Sequence, residues 1–311
     1  MKSILAKIYF IFFITVLATV PIFSQTESAA QIRQGFQFLQ NKDFQAAVSA
    51  FSAILRVEPN NDKARLGLAV GLVGVEKFAE ASREIAQLLA RSPKDAKLLE
   101  MAAQTFWVQK RFAETEKVLQ RRIALGETTA ELWALYGDAL DAQKKTIEAV
   151  TAYETAVKSK PDSITYRYAL GSLYWKQIRY DDATREFLEI LRREPNEPRA
   201  SFNLGDIYLT NGNPAKAVPF LETSAKKFPD EFDTRLALGR AYSALKQYPQ
   251  AIIELEAAVK LRPEIAEGFY QLGLALQKTG RREEAKIAFK KTQELQNTKR
   301  LSEGAHKPKP Q

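Results

Sequence analysis

Residues 130–163 read AELWALYGDALDAQKKTIEAVTAYETAVKSKPDS. Apolar side chains fall at Leu132, Leu135, Tyr136 and Leu140, a helical spacing, and TIEAVTAYETAV repeats the pattern after a polar turn at Lys144 and Lys145. Pro161 follows, where a helix must stop because proline has no N–H to donate and its ring clashes with the preceding turn. The stretch predicts two amphipathic helices folded back on each other as a hairpin.

Moving outward, the same pattern returns every 34 residues. Gly35, Gly137, Gly171, Gly205, Gly239 and Gly273 share one column. Ala47, Ala81, Ala149, Ala183, Ala217, Ala251 and Ala285 form a second, twelve residues after the glycine slot, and Pro59, Pro93, Pro161, Pro195, Pro229 and Pro263 form a third. Eight units (28–61, 62–95, 96–129, 130–163, 164–197, 198–231, 232–265 and 266–299) run without insertion and leave a basic tail at 300–311, expected to be extended and disordered. A period of this length describes a chain that grows along a line, each hairpin burying its apolar face on its neighbours. Small Gly and Ala let helices approach closely, and large residues such as Tyr153, Phe187 and Phe289 fill the gaps.

Composition agrees. The 311 residues are 27% charged and 45% hydrophobic, and a single core stops growing near ~250 to 300 residues. The chain has no Cys and one His, His306, in a Lys/Pro stretch at the end. That removes disulfides, thiolate metal sites and thiol nucleophiles, and leaves histidine-ligated metals and Ser-His chemistry almost no material. No cofactor and no metal site is expected.

The columns resemble the tetratricopeptide repeat family, whose pattern is W-x2-L-G-x2-Y, then A-x3-F, then P. The fifth unit shows Leu170, Gly171, Tyr174, Ala183, Phe187 and Pro195, and the fourth shows Trp133, Tyr136, Gly137, Ala149, Tyr153 and Pro161. The resemblance covers 28–299. It implies an all-α fold, a right-handed α-α superhelix of eight helical hairpins, whose concave groove is lined by the first helix of each unit and binds peptides or proteins. In that family the second, fifth, ninth and twelfth residues of a unit line the groove, with the sixth contributing. Carried over, the fifth slot supplies Tyr168, Phe202, Leu236 and Tyr270; the ninth supplies Asp138, Asp206 and Arg240; the twelfth supplies Leu39, Val73, Trp107 and Trp175. Aromatics there are expected as interface anchors, since they bury large area at low rotamer cost. Trp133 falls in the family's core slot. Some relatives clamp a C-terminal carboxylate with Lys and Asn. Here Asn203 fits the asparagine slot, but Tyr168, Ser172, Asp233 and Ala237 stand where cations are needed, so Asn203 is expected to bond a peptide backbone instead.

Two units depart from the pattern. In the third, Ala103 replaces Gly, Thr115 replaces Ala, Arg122 enters a small buried slot and Glu127 replaces Pro, which reads as drift in a unit held by its neighbours. In the second, Gly67, Gly71 and Gly74 lack the spacing of a phosphate loop and read as close helix packing. Solenoid ends need polar outer faces. The glutamines of the first unit and the charges of RREEAKIAFKKTQELQNTKR serve that need without a separate capping helix.

The N-terminus carries Lys2 and Lys7 ahead of the apolar run Ile8 to Val20, closed by Pro21. This reads as a secretory signal peptide over 1–24, cut between Ser24 and Gln25. The alternative is an uncleaved anchor over 4–23, with membrane proximity as its consequence. Both readings export the bulk of the chain to a periplasmic, cell-envelope or secreted location.

Net charge is +9, but the fourth unit is acidic and residues 266–311 hold ten basic against five acidic residues, so the groove is not a basic channel. Nucleic acid is therefore not an expected partner. A non-catalytic scaffold for a protein or peptide partner is the expected function. The competing enzyme reading uses Asp138 and Asp141, three apart on one helical face, with Trp107 and Trp175 as sugar platforms, and is disfavoured because such a pair is ordinarily solvated.

Overall fold

The computed structural model describes residues 27–305. The expected signal peptide over 1–24, its alternative anchor over 4–23, and His306 lie outside the described residues. Among those described, sixteen α-helices make eight hairpins with no strand. They are Glu27–Gln40 (α1) with Phe44–Val57 (α2), Asp62–Gly74 (α3) with Phe78–Arg91 (α4), Ala96–Val108 (α5) with Phe112–Ile123 (α6), and Ala130–Ala142 (α7) with Thr146–Ser159 (α8). Then follow Ile164–Lys176 (α9) with Tyr180–Arg193 (α10), Pro198–Thr210 (α11) with Pro214–Lys227 (α12), Phe232–Ala244 (α13) with Tyr248–Leu261 (α14), and Ala266–Lys278 (α15) with Arg282–Ala305 (α16). The chain gathers into two compact units that meet in sequence at Lys160 and Pro161, four hairpins in each. Within each unit, successive helices pack pairwise.

The glycine and aromatic columns meet inside each hairpin. A Cβ built on Gly35 would stand 2.6 Å from the Phe51 ring, on Gly137 2.6 Å from Tyr153, on Gly171 2.9 Å from Phe187 and on Gly273 2.6 Å from Phe289. Where the first helix carries Ala instead, at Ala69 and Ala103, the facing slot holds the smaller Ile85 and Leu119, all of them buried. In the sixth and seventh hairpins glycine faces leucine and is still crowded, since a Cβ on Gly205 or Gly239 would stand 2.6 or 2.5 Å from Leu221 or Leu255, so the small slot follows how closely the helices approach as well as the size of the facing side chain. Gly67, Gly71 and Gly74 are packing glycines as expected: a Cβ on Gly67 would strike the Phe51 ring at 2.3 Å, and one on Gly74 the Phe44 ring at 2.2 Å.

Three further columns set the geometry between helices. Each hairpin turn has one left-handed residue, at Lys42, Glu76, Lys110, Lys144, Ile178, Gly212, Lys246 and Gly280. Only two of these are glycine, the residue that adopts this conformation without strain. The last residue of a unit caps the next first helix: Asn61, Asp95, Thr129, Ser163 and Glu197 accept from Ala64, Leu98, Leu132, Tyr166 and Ala200 N–H groups. Arginines at the fourth slot bridge to a glutamate on their own second helix, Arg65 to Glu84 at 2.5 Å, Arg167 to Glu186 at 2.6 Å and Arg235 to Glu254 at 2.6 Å. Each also donates to the carbonyl of the preceding proline, Pro59, Pro161 or Pro229.

The third hairpin solves its departures together. Buried Arg122 pairs with Glu100 at 2.6 Å and donates to the Gly126 and Glu127 carbonyls at 2.9 and 3.1 Å. It thereby holds a loop that lacks proline and that carries two residues at positive φ, Gly126 and Glu127. Two expectations need correction. Helix α16 runs on to Ala305, so the tail expected to be disordered over 300–311 is helical over 300–305. Trp133 is half-buried, edge-on to Tyr136 at a centroid distance of 6.1 Å, rather than sealed in the core.

Candidate functional site

In the second unit the expected groove residues lie on the first helices α9, α11, α13 and α15, and they form two clusters. In one, the Tyr168 hydroxyl accepts from Asn203 Nδ2 at 3.2 Å while the Arg199 guanidinium lies over the Tyr168 ring at 4.6 Å. The Arg199 Nε is 3.1 Å from Glu197 Oε1. Asn203 Nδ2 also donates to the Arg199 carbonyl at 2.7 Å; a carbonyl can only accept, which fixes the orientation of the amide.

In the other cluster, Trp175 near the end of α9 donates its indole N–H to Asp206 on α11 and keeps 39% of its surface exposed. Burial pushes the Asp206 carboxyl above its ordinary range; the Trp175 N–H and the Arg240 guanidinium oppose that push, and the Asp233 charge adds to it. Arg240 is exposed on α13. Tyr270 is 44% exposed, its ring 6.2 Å from that of Phe289. Phe202 differs from the rest: it is half-buried against the cluster that includes Leu221, Ala237 and Leu238, and contributes mainly to packing.

In the first unit, Trp107 is half-buried with its ring 5.1 Å from Phe112 at the start of α6, so much of its area is spent inside the hairpin. Asp138 is exposed to water yet crowded by protein, and accepts from the buried Tyr153 hydroxyl. Desolvation pushes its carboxyl above the ordinary range, the Tyr153 bond opposes this and Asp141 reinforces it. Asp138 is exposed, as expected of that pair, while its contact with Tyr153 and the protein around it distinguish it from a freely solvated carboxylate. Among the described residues no group of three His, Cys, Asp or Glu side chains is gathered to hold a metal ion.

Sequence reading missed Arg199, which joins Tyr168, Asn203 and Glu197. The signal was available in its place, the second slot of the unit that follows Tyr168.

Stacked helical hairpins with a polar-aromatic face on the first helices define an α-solenoid of the repeat-scaffold class. Models described as "Tetratricopeptide repeat" match residues 38–105, 168–232, 208–267 and 266–299, and one described as "TPR repeat" matches 137–177. The chain belongs to the tetratricopeptide repeat family.

Among curated proteins, "Anaphase-promoting complex subunit 3" of Schizosaccharomyces pombe is 21% identical over 255 residues, which is 82% of this chain and 38% of that protein. The "BBSome complex member BBS4 homolog" of Drosophila melanogaster is 22% identical over 220 residues, 70% of this chain and 45% of its own length. This chain thus spans less than half the length of either relative. Among solved structures, "MamA 41-end from Desulfovibrio magneticus RS-1" aligns with a TM-score of 0.52 at 23% identity, covering 54% of this chain and 96% of that one. YrrB, titled a TPR protein with an unusual peptide-binding site, aligns with a TM-score of 0.54 at 19% identity, covering 60% and 97%. At these identities the likeness is one of fold.

Proposed function

We propose that the protein is a non-catalytic scaffold that binds a peptide or protein segment on the first-helix face of its second unit. One observation carries this reading: the Trp175 ring on the first helix α9 keeps 39% of its surface exposed, so a large aromatic surface is available to a partner. Exposed Tyr270 offers a further aromatic surface among the first helices. The curated relatives bear the names of subunits of multiprotein complexes, which agrees with a role in assembly. No cofactor, metal or nucleic acid enters this reading.

The test is alanine substitution read against both binding and folding. Trp175→Ala is expected to weaken a captured partner by ~2 kcal/mol, about thirtyfold, with little change in unfolding, as truncation of an interface anchor does. Trp133→Ala should instead lower stability. Normal partner affinity for Trp175→Ala combined with early unfolding would move the site elsewhere on the molecule. The enzyme reading would require hydrolytic activity of the purified protein that Asp138→Asn abolishes.

The charged, then apolar, then small-residue order of 1–24 supports export, with the mature chain beginning at Gln25. An anchored form retaining 4–23 is the second reading, and would make the protein an envelope assembly factor held at a membrane. Among the described residues no helix is long and apolar enough to cross a membrane, so any anchor rests on that N-terminal segment. N-terminal sequencing of the native protein separates the two: Gln25 as first residue supports cleavage, and Met1 sinks it.

A further inference from the structure

The first-helix face of the second unit is rich in hydrogen-bond acceptors. Both N–H groups of Asn203 are spent, on the Arg199 carbonyl at 2.7 Å and the Tyr168 hydroxyl at 3.2 Å, so the amide offers its carbonyl oxygen outward. Asp206 takes the Trp175 N–H and retains further lone pairs. Asp233 is exposed, and Glu267, also exposed, accepts from Gln271 at 2.7 Å. The Ser172 hydroxyl donates inward, to the Tyr168 carbonyl at 2.8 Å. Of the arginines on this face, Arg199 is committed to Glu197 and the Tyr168 ring, and Arg240 partly offsets Asp206. A ligand carboxylate would meet Asp206, Asp233 and Glu267, whereas a ligand cation would find acceptors beside exposed aromatic rings.

We infer that this face recognises a partner segment bearing lysine or arginine side chains, with one cation seated between the Asp206 carboxylate and the exposed Trp175 ring and the segment's N–H groups donating to Asn203. The inference rests on the reading of this face as a peptide site, and adds the chemistry of the peptide. The chain holds its own example of the contact in Arg199, whose guanidinium covers the Tyr168 ring at 4.6 Å while bonding Glu197 at 3.1 Å. The positive net charge of the whole chain does not oppose this. Its excess is concentrated in residues 266–311, and charges more than ~8 Å apart are largely screened at physiological salt.

The experiment is selection of random dodecapeptides displayed on phage against the full chain at ~150 mM salt. Selected peptides are then synthesised and their affinities measured by titration calorimetry. Wild type is compared with Trp175→Ala, Asp206→Asn, Asp233→Asn and, as a control on the second helix α10, the exposed Asp181→Asn. Asparagine at 206 still accepts the indole N–H, so the ring keeps its position, and an unchanged melting temperature checks that. Expected are selected peptides enriched in Lys and Arg, binding about tenfold weaker to Asp206→Asn, unchanged on Asp181→Asn, and insensitive to Asp206→Asn once the peptide lysine is replaced by norleucine. Peptides that need Trp175 but show no basic enrichment, or bind Asp206→Asn normally, overturn the charge preference and leave the scaffold reading standing. If no selected peptide needs Trp175, both fall.

Discussion

Gly35 and Phe51 offer the sharpest test of how the hairpins are packed. Alanine in place of a mid-helix glycine normally stabilises by ~1 kcal/mol. At position 35 its methyl would lie 2.6, 2.8 and 3.0 Å from three carbons of the Phe51 ring. That ring has nowhere to go, since it is fully buried, meets Phe36 edge-on at 5.1 Å and lies so close to Gly67 that a Cβ there would be 2.3 Å away. Overpacking of this kind costs up to ~3 kcal/mol, so Gly35→Ala should destabilise by a net ~2 kcal/mol. Leucine at 51 would not relieve the contact, since a Cβ on Gly205 or Gly239 lies 2.6 or 2.5 Å from a facing leucine; in a Phe51→Ala background the facing side chain is gone, and the same substitution should stabilise by ~1 kcal/mol. The coupling is therefore ~3 kcal/mol with a reversal of sign, which a double-mutant cycle reads directly. Urea unfolding followed by far-UV circular dichroism gives the global value. Hydrogen exchange of α1 and α2 amides gives the local one, because an end hairpin can open by itself. If Gly35→Ala stabilises in both backgrounds, or destabilises in both, contact with the Phe51 ring is not what requires glycine at position 35.

Ile178 is β-branched, has φ 62° and is 72% exposed, so Ile178→Gly should stabilise by ~1 kcal/mol in thermal or urea unfolding; destabilisation would mean its side chain makes an essential contact. Arg122→Leu leaves Glu100 without its partner and removes donors from the Gly126 and Glu127 carbonyls, and should cost ~3 kcal/mol, visible as early exchange of α6 amides; wild-type protection there would show that the loop holds itself. Because the folded state raises the Asp138 carboxyl, folding binds a proton there and stability falls as pH rises from the ordinary aspartate value through the raised one. Asp138→Asn should therefore be more stable than wild type at neutral pH, and the gap should close below about pH 4; a gap of opposite sign at neutral pH would contradict the shift. Burial, reinforced by the bond to Glu222 at 2.5 Å, pushes the Tyr242 phenol up to about 12, so Tyr242→Phe should remove one high-pH phenol from an ultraviolet titration; loss of a phenol that ionises near the ordinary tyrosine value would contradict the shift.

Much of this architecture could be read from the columns because a hairpin repeat is a local object. The 34-residue period, the paired amphipathic helices and the glycine, alanine and proline slots all express contacts within one unit or to the next. The left-handed turn slot escaped because lysine, glutamate and isoleucine fill it in six of eight hairpins, and only Gly212 and Gly280 betray it in sequence. The cap column escaped for a related reason, since Asn61, Asp95, Thr129, Ser163 and Glu197 share an acceptor atom and not a residue type. Beyond Lys299 the repeat pattern ends but the helix does not, because helix continuation needs only favourable residues and no neighbour of fixed period.

By itself, the sequence determined that this is a chain of eight helical hairpins, which side chains alternate small and large between facing helices, and which slots the first helices present. Only the tertiary structure decided which of those slots remain open. Trp107 and Trp175 occupy the same slot of different units, yet one is half-buried against Phe112 and the other stands exposed on Asp206. Likewise Asp138 and Asp206 share a slot, and one is held by Tyr153 from its own hairpin, the other by Trp175 from the hairpin before. Periodicity places a Cβ on a face. Exposure, hydrogen bonding and pKa depend on which atoms from other helices crowd that Cβ, and these change from hairpin to hairpin at positions the period does not constrain.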